Sequence, residues 1–195
     1  MLAGLMTASA FAQPFATLPL TGRASETYGP GKPIEAWIKF CTRYGDECRV
    51  NAYEPEAIEL TAKVWALITA TNRKVNREIK PATDAEHWGV MDSWDFPDDG
   101  KGDCEDYQLL KRKMLVEAGL PRRAIRMTVV IDEQGQGHAV MMVRTDRGDF
   151  VLDNKRDAVL TWDKTRYTYV RRESQAAVGW VSLGGIPSPT ATANR

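Results

Sequence analysis

Three residues able to carry out covalent hydrolysis follow one another along the chain: Cys104 in GDCEDY, His138 in GHAVMMV and Asp153 in FVLDN. A thiol attacks a carbonyl carbon as its thiolate. It therefore needs a base to take its proton and return it to the leaving amine, and that base needs a group that fixes its ring. His138 suits the first role and Asp153 the second, with Asn154 as an alternative because an amide also orients an imidazole. The other histidine, His87 in the AEHWG loop, lacks a comparable partner. Of the three cysteines, Cys41 and Cys48 are close neighbours in FCTRYGDECRV. A disulfide there closes a short loop and stabilises by about 2.5 kcal/mol in an oxidising compartment. Cys104 is then left over, and an unpaired Cys in an exported protein is a candidate reactive thiol, although a lone Cys judged without its neighbours is more often a small buried hydrophobe.

The acids around the thiol create an electrostatic conflict. Asp103, Glu105 and Asp106 surround Cys104, Asp95, Asp98 and Asp99 precede it, and only Lys101 offsets them. Carboxylates this close raise a thiol pKa and oppose the effect of a helix N-terminus, which would lower it. A hard cation removes the conflict, and calcium accepts several carboxylate oxygens in flexible geometry. A calcium ion bound beside the nucleophile is therefore expected. The simpler alternative is that these acids only cap a helix.

The elements that must position these groups divide the chain into a helical first half and a strand-rich second half, an α+β pattern without internal repeats. Residues 34–40, carrying Trp37, read as a short helix, and 55–79 as a long one with Ile58, Ala62, Trp65, Ile68 and Val75 on one apolar face. A connection over 80–102 follows, rich in Asp, Pro and Gly; its two tryptophans, Trp88 and Trp94, argue for order. The next helix has Asp103 as its N-cap and Gly119 with Pro121 as its stop, which puts Cys104 in the first turn. Tyr107, Leu110, Met114 and Ala118 recur on a face that packs inward.

Residues 124–131, 138–144 and 150–153 read as strands, the last two joined by the turn TDRGD as an antiparallel hairpin. With 145–148 as the loop, His138 and Asp153 become diagonal neighbours on one face; a two-residue loop makes them directly opposite. A register one residue off would separate them onto opposite faces.

Composition and termini set the context. The 195 residues carry 26 Lys+Arg against 26 Asp+Glu, so charge gives no reason to expect a nucleic acid or an anionic membrane as partner. The apolar opening MLAGLMTASAFAQP ends in Ala10-Phe11-Ala12 before Gln13, the form of a signal-peptide cleavage site, though without a basic leading region. The expected organisation is a signal peptide over 1–12, one catalytic domain over 13–183 and a flexible tail over 184–195, in a periplasmic or secreted protein. No apolar run reaches the roughly 20 residues a membrane span needs.

The ordered motifs WGVMDSWDFP, GDCEDY, GHAVMMV and FVLDN resemble the bacterial transglutaminase-like cysteine proteinases, the group that includes LapG-type periplasmic proteases of biofilm adhesins. The resemblance implies a transglutaminase-like, papain-related fold in which the nucleophile helix packs on an antiparallel sheet. It implies hydrolysis of a peptide bond in a protein substrate by Cys104, His138 and Asp153, and calcium on Asp103 and Glu105. By the same likeness the substrate is a surface adhesin cut near small, alanine-rich sites, and a membrane-bound regulatory protein restrains the enzyme. Two other classes are compatible with the residues: an acyl transferase, since an amine can resolve the same thioester, and a noncatalytic binding domain.

Overall fold

The structure, a computed structural model, describes residues 17–185. The expected signal segment 1–12 lies outside the described residues, as does the 184–195 tail beyond its first two residues; Gly185 N–H donates to Tyr169 O at 2.9 Å.

Helix α1 (Glu35–Arg43) buries Ala36, Trp37 and Phe40, and α2 (Gly45–Cys48) follows directly. The Cys41–Cys48 disulfide joins them. Helix α3 (Ala62–Glu78) starts at Thr61, whose hydroxyl accepts from Val64 N–H, and not near residue 55. Ile58 is drawn out of the expected helix by the sheet. Its N–H donates to Arg144 O and its carbonyl accepts from Asp146 N–H, both at 3.0 Å, so extended pairing satisfies backbone groups that a longer helix would have used.

The long connection is closed at its base by a parallel pair, β2 (Lys80–Pro81) with β3 (Lys101–Gly102), and carries α4 (Asp84–His87). Thr83 and Glu86 form a capping box that starts α4. Trp94 is fully buried and anchors the segment, whereas Trp88 is exposed. Helix α5 (Cys104–Glu117) comes next.

The sheet contains β1 (Pro30–Gly31), β4 (Ile125–Ile131), β5 (Gly137–Thr145), β6 (Gly148–Asp153), β7 (Arg156–Thr161), β8 (Thr168–Glu173) and β9 (Trp180–Ser182). Their order is β1-β9-β8-β4-β5-β6-β7, with every pairing antiparallel. β1 and the strands after β6 widen the sheet beyond the three that the alternation of residues had made legible. Ala139, Met141, Val143, Phe150 and Leu152 form the main core with Trp37, Phe40, Ile68, Leu109 and Leu115 from the helices. The opposite face packs Val130, Val140, Met142 and Val151 against Tyr167, Tyr169 and Leu183. Among the described residues no helix is long and apolar enough to cross a membrane.

Candidate active site

The β5–β6 hairpin pairs Thr145 with Gly148 and runs to Met141 with Leu152, the register in which His138 lies diagonal to Asp153. Gly148 has φ +102, and a Cβ there would meet the Gly22 carbonyl carbon at 2.8 Å, so this residue must be glycine for the turn to close. Beyond the last ladder pair, Ala139 N–H is donated not to a strand but to Cys104 Sγ, at 3.3 Å. The first turn of α5 is thus tied to β5 beside His138. Tyr107 keeps it there by packing with Val75 and Ile79 and donating its hydroxyl to Ile79 O at 2.6 Å.

His138 Nε2 and Asp153 Oδ1 are 2.9 Å apart, and both residues are buried. The arrangement assigns the proton to Nε2, leaving Nδ1 as the basic nitrogen. Asp153 is fixed in backbone and side chain: its N–H donates to Asn72 Oδ1 at 3.2 Å, and its carbonyl accepts from Asn76 Nδ2 at 2.9 Å. Lys155 N–H adds a bond to Oδ1 at 3.0 Å. Burial alone would push this carboxyl up, but His138, Tyr167 and the Lys155 N–H outweigh it and hold Asp153 at about 2. Asn154 meets Gln108 Nε2 instead, at 3.5 Å, so the group on the ring is Asp153.

The sulfur is not bonded to the imidazole. Among the described residues its hydrogen bonds are the one from Ala139 and its own donation to Glu105 Oε2 at 3.1 Å. Burial, then the charges of Glu105 and Asp103, push the thiol well above its ordinary pKa, so the helix N-terminus does not prevail here. His87, against expectation, does have a carboxylate partner. The closed base of the 80–102 connection brings Asp99 to 2.7 Å from its Nε2, and the ring stacks on Trp88.

The acids that gather beside Cys104 are only partly those adjacent to it in sequence. Carboxylate oxygens of Asp84, Asp103 and Asp106 lie within 4.8 Å of one another, as do those of Asp84, Asp92 and Glu105. Asp95 is instead turned to Arg43 and Tyr44, Asp99 to His87, and Asp98 is exposed. No sequence signal singled out Asp84 or Asp92; the β2–β3 closure brings them to α5. Asp103 occupies the N-cap position of α5 but makes no side-chain cap bond. Both its oxygens and Oε1 of Glu105 are buried without a hydrogen-bond partner. Burial, with repulsion from neighbouring acids, raises Asp103 to about 7, Asp106 to about 8, and Glu105 well above the carboxylate range. Two buried carboxylates with unsatisfied oxygens, set among further acids, fit a hard divalent cation far better than a helix cap. The residues present would hold it through Asp103 and Glu105, with Asp84, Asp92 and Asp106 around them.

The fold resembles that of Legionella pneumophila LapG, with a TM-score of 0.53 and 24% identity over 75% of this chain and 80% of that one. A calcium-bound structure of the same protein gives a TM-score of 0.53 and 21% identity over 82% of this chain and 87% of that one. At these identities the likeness is one of fold. Comparison with curated protein sequences gave no match. The family model described as bacterial transglutaminase-like cysteine proteinase BTLCP matches residues 27–186. The chain therefore belongs to the bacterial transglutaminase-like cysteine proteinases and is a cysteine peptidase.

Proposed function

We propose that the protein is an exported cysteine endopeptidase that hydrolyses a peptide bond in a protein substrate through Cys104, His138 and Asp153. The observation that carries this reading is the buried His138–Asp153 pair at 2.9 Å, with His138 on β5 one residue from the N–H that holds the Cys104 sulfur. In the reaction His138 Nδ1 takes the thiol proton and Sγ attacks the substrate carbonyl carbon. Collapse of the tetrahedral adduct breaks the C–N bond as the imidazolium protonates the amine. Water, deprotonated by the same nitrogen, then cleaves the thioester and restores the thiol. Asp153 retains its charge throughout and stabilises the imidazolium.

Asp103 and Glu105 are proposed as calcium ligands, supported by their unpartnered buried oxygens and by the calcium-bound state of the LapG structure. Calcium held there would supply positive charge that offsets Asp103 and Glu105; with the Glu105 carboxylate so occupied, the Cys104 thiol proton goes to His138. A surface adhesin as substrate, a membrane-bound regulatory protein as partner, and a periplasmic or secreted location complete the proposal. They rest on the family resemblance and on the apolar, Ala-Phe-Ala-terminated opening. The test compares cell-surface proteins from strains carrying wild type and Cys104→Ala, with calcium present. Fragments that appear only with the wild type support the peptidase reading and name its substrate. An identical fragment pattern, with a normal wild-type-like rate retained by purified Cys104→Ala on the same proteins, refutes it.

A further inference from the structure

Asp153 is gripped on its far side by a residue outside the proposed triad. Tyr167, in the segment between β7 and β8, donates its hydroxyl to Asp153 Oδ2 at 2.6 Å, and its ring meets the His138 ring edge-on with centroids 5.8 Å apart. Arg156 lies over the Tyr167 ring at 5.3 Å, donates to the Tyr167 oxygen at 3.1 Å, and brings Nε to 3.4 Å from Asp153 Oδ2. Glu133, in the β4–β5 turn, holds Arg156 in turn at 3.0 Å.

The two carboxylate oxygens are thereby divided between two tasks. Oδ1 serves His138 and the Lys155 N–H, while Oδ2 serves Tyr167 and Arg156. A carboxylate held through one oxygen alone still swings about its Cβ–Cγ bond, which tilts its plane away from the imidazole and exchanges its two oxygens. A short hydroxyl bond to the other oxygen removes that freedom. Burial and the Asp153 charge keep the Tyr167 phenol protonated, so it is a donor throughout the neutral range.

We infer that Tyr167 is a positioning residue for the reaction: it locks the Asp153 carboxylate so that His138 keeps one ring orientation and one tautomer. This deepens the proposed function and rests on it. The Tyr167 ring also packs in the second apolar cluster with Val140 and Val151. Tyr167→Phe therefore isolates the hydroxyl, retaining the ring and its packing.

The experiment uses an internally quenched peptide selected from a combinatorial library by the wild-type enzyme, with wild type, Tyr167→Phe and Asp153→Asn compared in calcium. Tyr167→Phe is expected to lower kcat about 10- to 100-fold with KM unchanged. A second readout needs no substrate: the proton on His138 Nε2, observed by NMR in protein labelled with 15N-histidine and assigned with His87→Gln, should shift and broaden in Tyr167→Phe. Wild-type kcat and an unmoved Nε2 proton in Tyr167→Phe, while Asp153→Asn is impaired, overturn the inference alone. A lowered melting temperature with the Nε2 proton unmoved also overturns it, since the hydroxyl would then be serving only the fold. Full activity in Asp153→Asn overturns the triad reading beneath it.

Discussion

Removing calcium and raising pH should destabilise the protein together. In the folded chain burial holds Asp103 at about 7 and Asp106 at about 8, against about 3.9 for an unfolded Asp. A carboxyl whose folded pKa is raised retains a proton that the unfolded chain has released. The contribution of these carboxyls to stability is therefore full below about pH 4 and is lost as pH climbs to the folded value. One retained proton gives a slope of about 1.4 kcal/mol per pH unit, and the roughly three-unit shift of Asp103 amounts to about 4 kcal/mol. For a chain of this size that corresponds to a fall in Tm of roughly 10 °C between acidic and mildly alkaline buffer. The proposed calcium would bind the deprotonated cluster, and only in the folded chain, so its stabilising increment should grow with pH and cancel the slope. The assay is a thermal melt from about pH 4 to about pH 8 on protein stripped with a pH-insensitive calcium chelator and desalted, with and without excess calcium. A flat Tm in the metal-free protein, or a calcium increment equal at both ends of the range, would refute the reasoning. Equal rescue by magnesium would remove the selectivity for calcium.

Other outcomes can be checked with purified variants. Cys104→Ala and His138→Ala should each abolish turnover without lowering Tm by more than a few degrees, and Asp153→Asn should leave a small residual rate, all read on the cleaved substrate. Opening the Cys41–Cys48 loop with Cys41→Ser/Cys48→Ser should cost about 2.5 kcal/mol, seen as a lower urea midpoint, and non-reducing mass spectrometry should find one crosslink and one free thiol at Cys104. A Cβ at Gly102 would stand 2.7 Å from both Cβ and Oδ2 of Asp106, so Gly102→Ala should displace that carboxylate and weaken calcium binding in isothermal titration; unchanged affinity would remove Asp106 from the site. Lys111 is fully buried, and desolvation lowers it to about 7 despite Asp153 and Asp157. A base whose folded pKa is depressed loses stability as pH falls from about 10 toward about 7, so Lys111→Met should raise Tm at neutral pH by an amount corresponding to about 1–4 kcal/mol.

The nucleophile helix, the hairpin and the disulfide were legible because each is encoded over a short stretch. Asp103 to Pro121 carries its own start and stop signals. The alternating residues of β5 and β6 with their intervening turn put His138 and Asp153 on one face. Cys41 and Cys48 are separated by too few residues for either to find another partner first. Such signals fail where distant backbone competes. The α3 boundary was misjudged because Ile58 finds its hydrogen bonds on the hairpin of β5 and β6, a choice invisible to helical periodicity.

The chemistry of the site was settled only by long-range packing. Sequence proximity nominated Asp95, Asp98 and Asp99 for the acidic cluster, but closure of the β2–β3 pair turns these elsewhere and delivers Asp84 and Asp92. The groups that hold Asp153 come from α3 and from the approach to β8, as Asn72, Asn76 and Tyr167, none of which stands in a motif. What the sequence determines by itself is which groups have the valence for thiol hydrolysis and which local elements carry them. The flanking acids already gave the direction of the Cys104 shift, whereas the directions at Asp103, Asp106, Asp153 and Lys111 depend on burial and on the distance between charges, which exist only once α3, α5 and the sheet have packed.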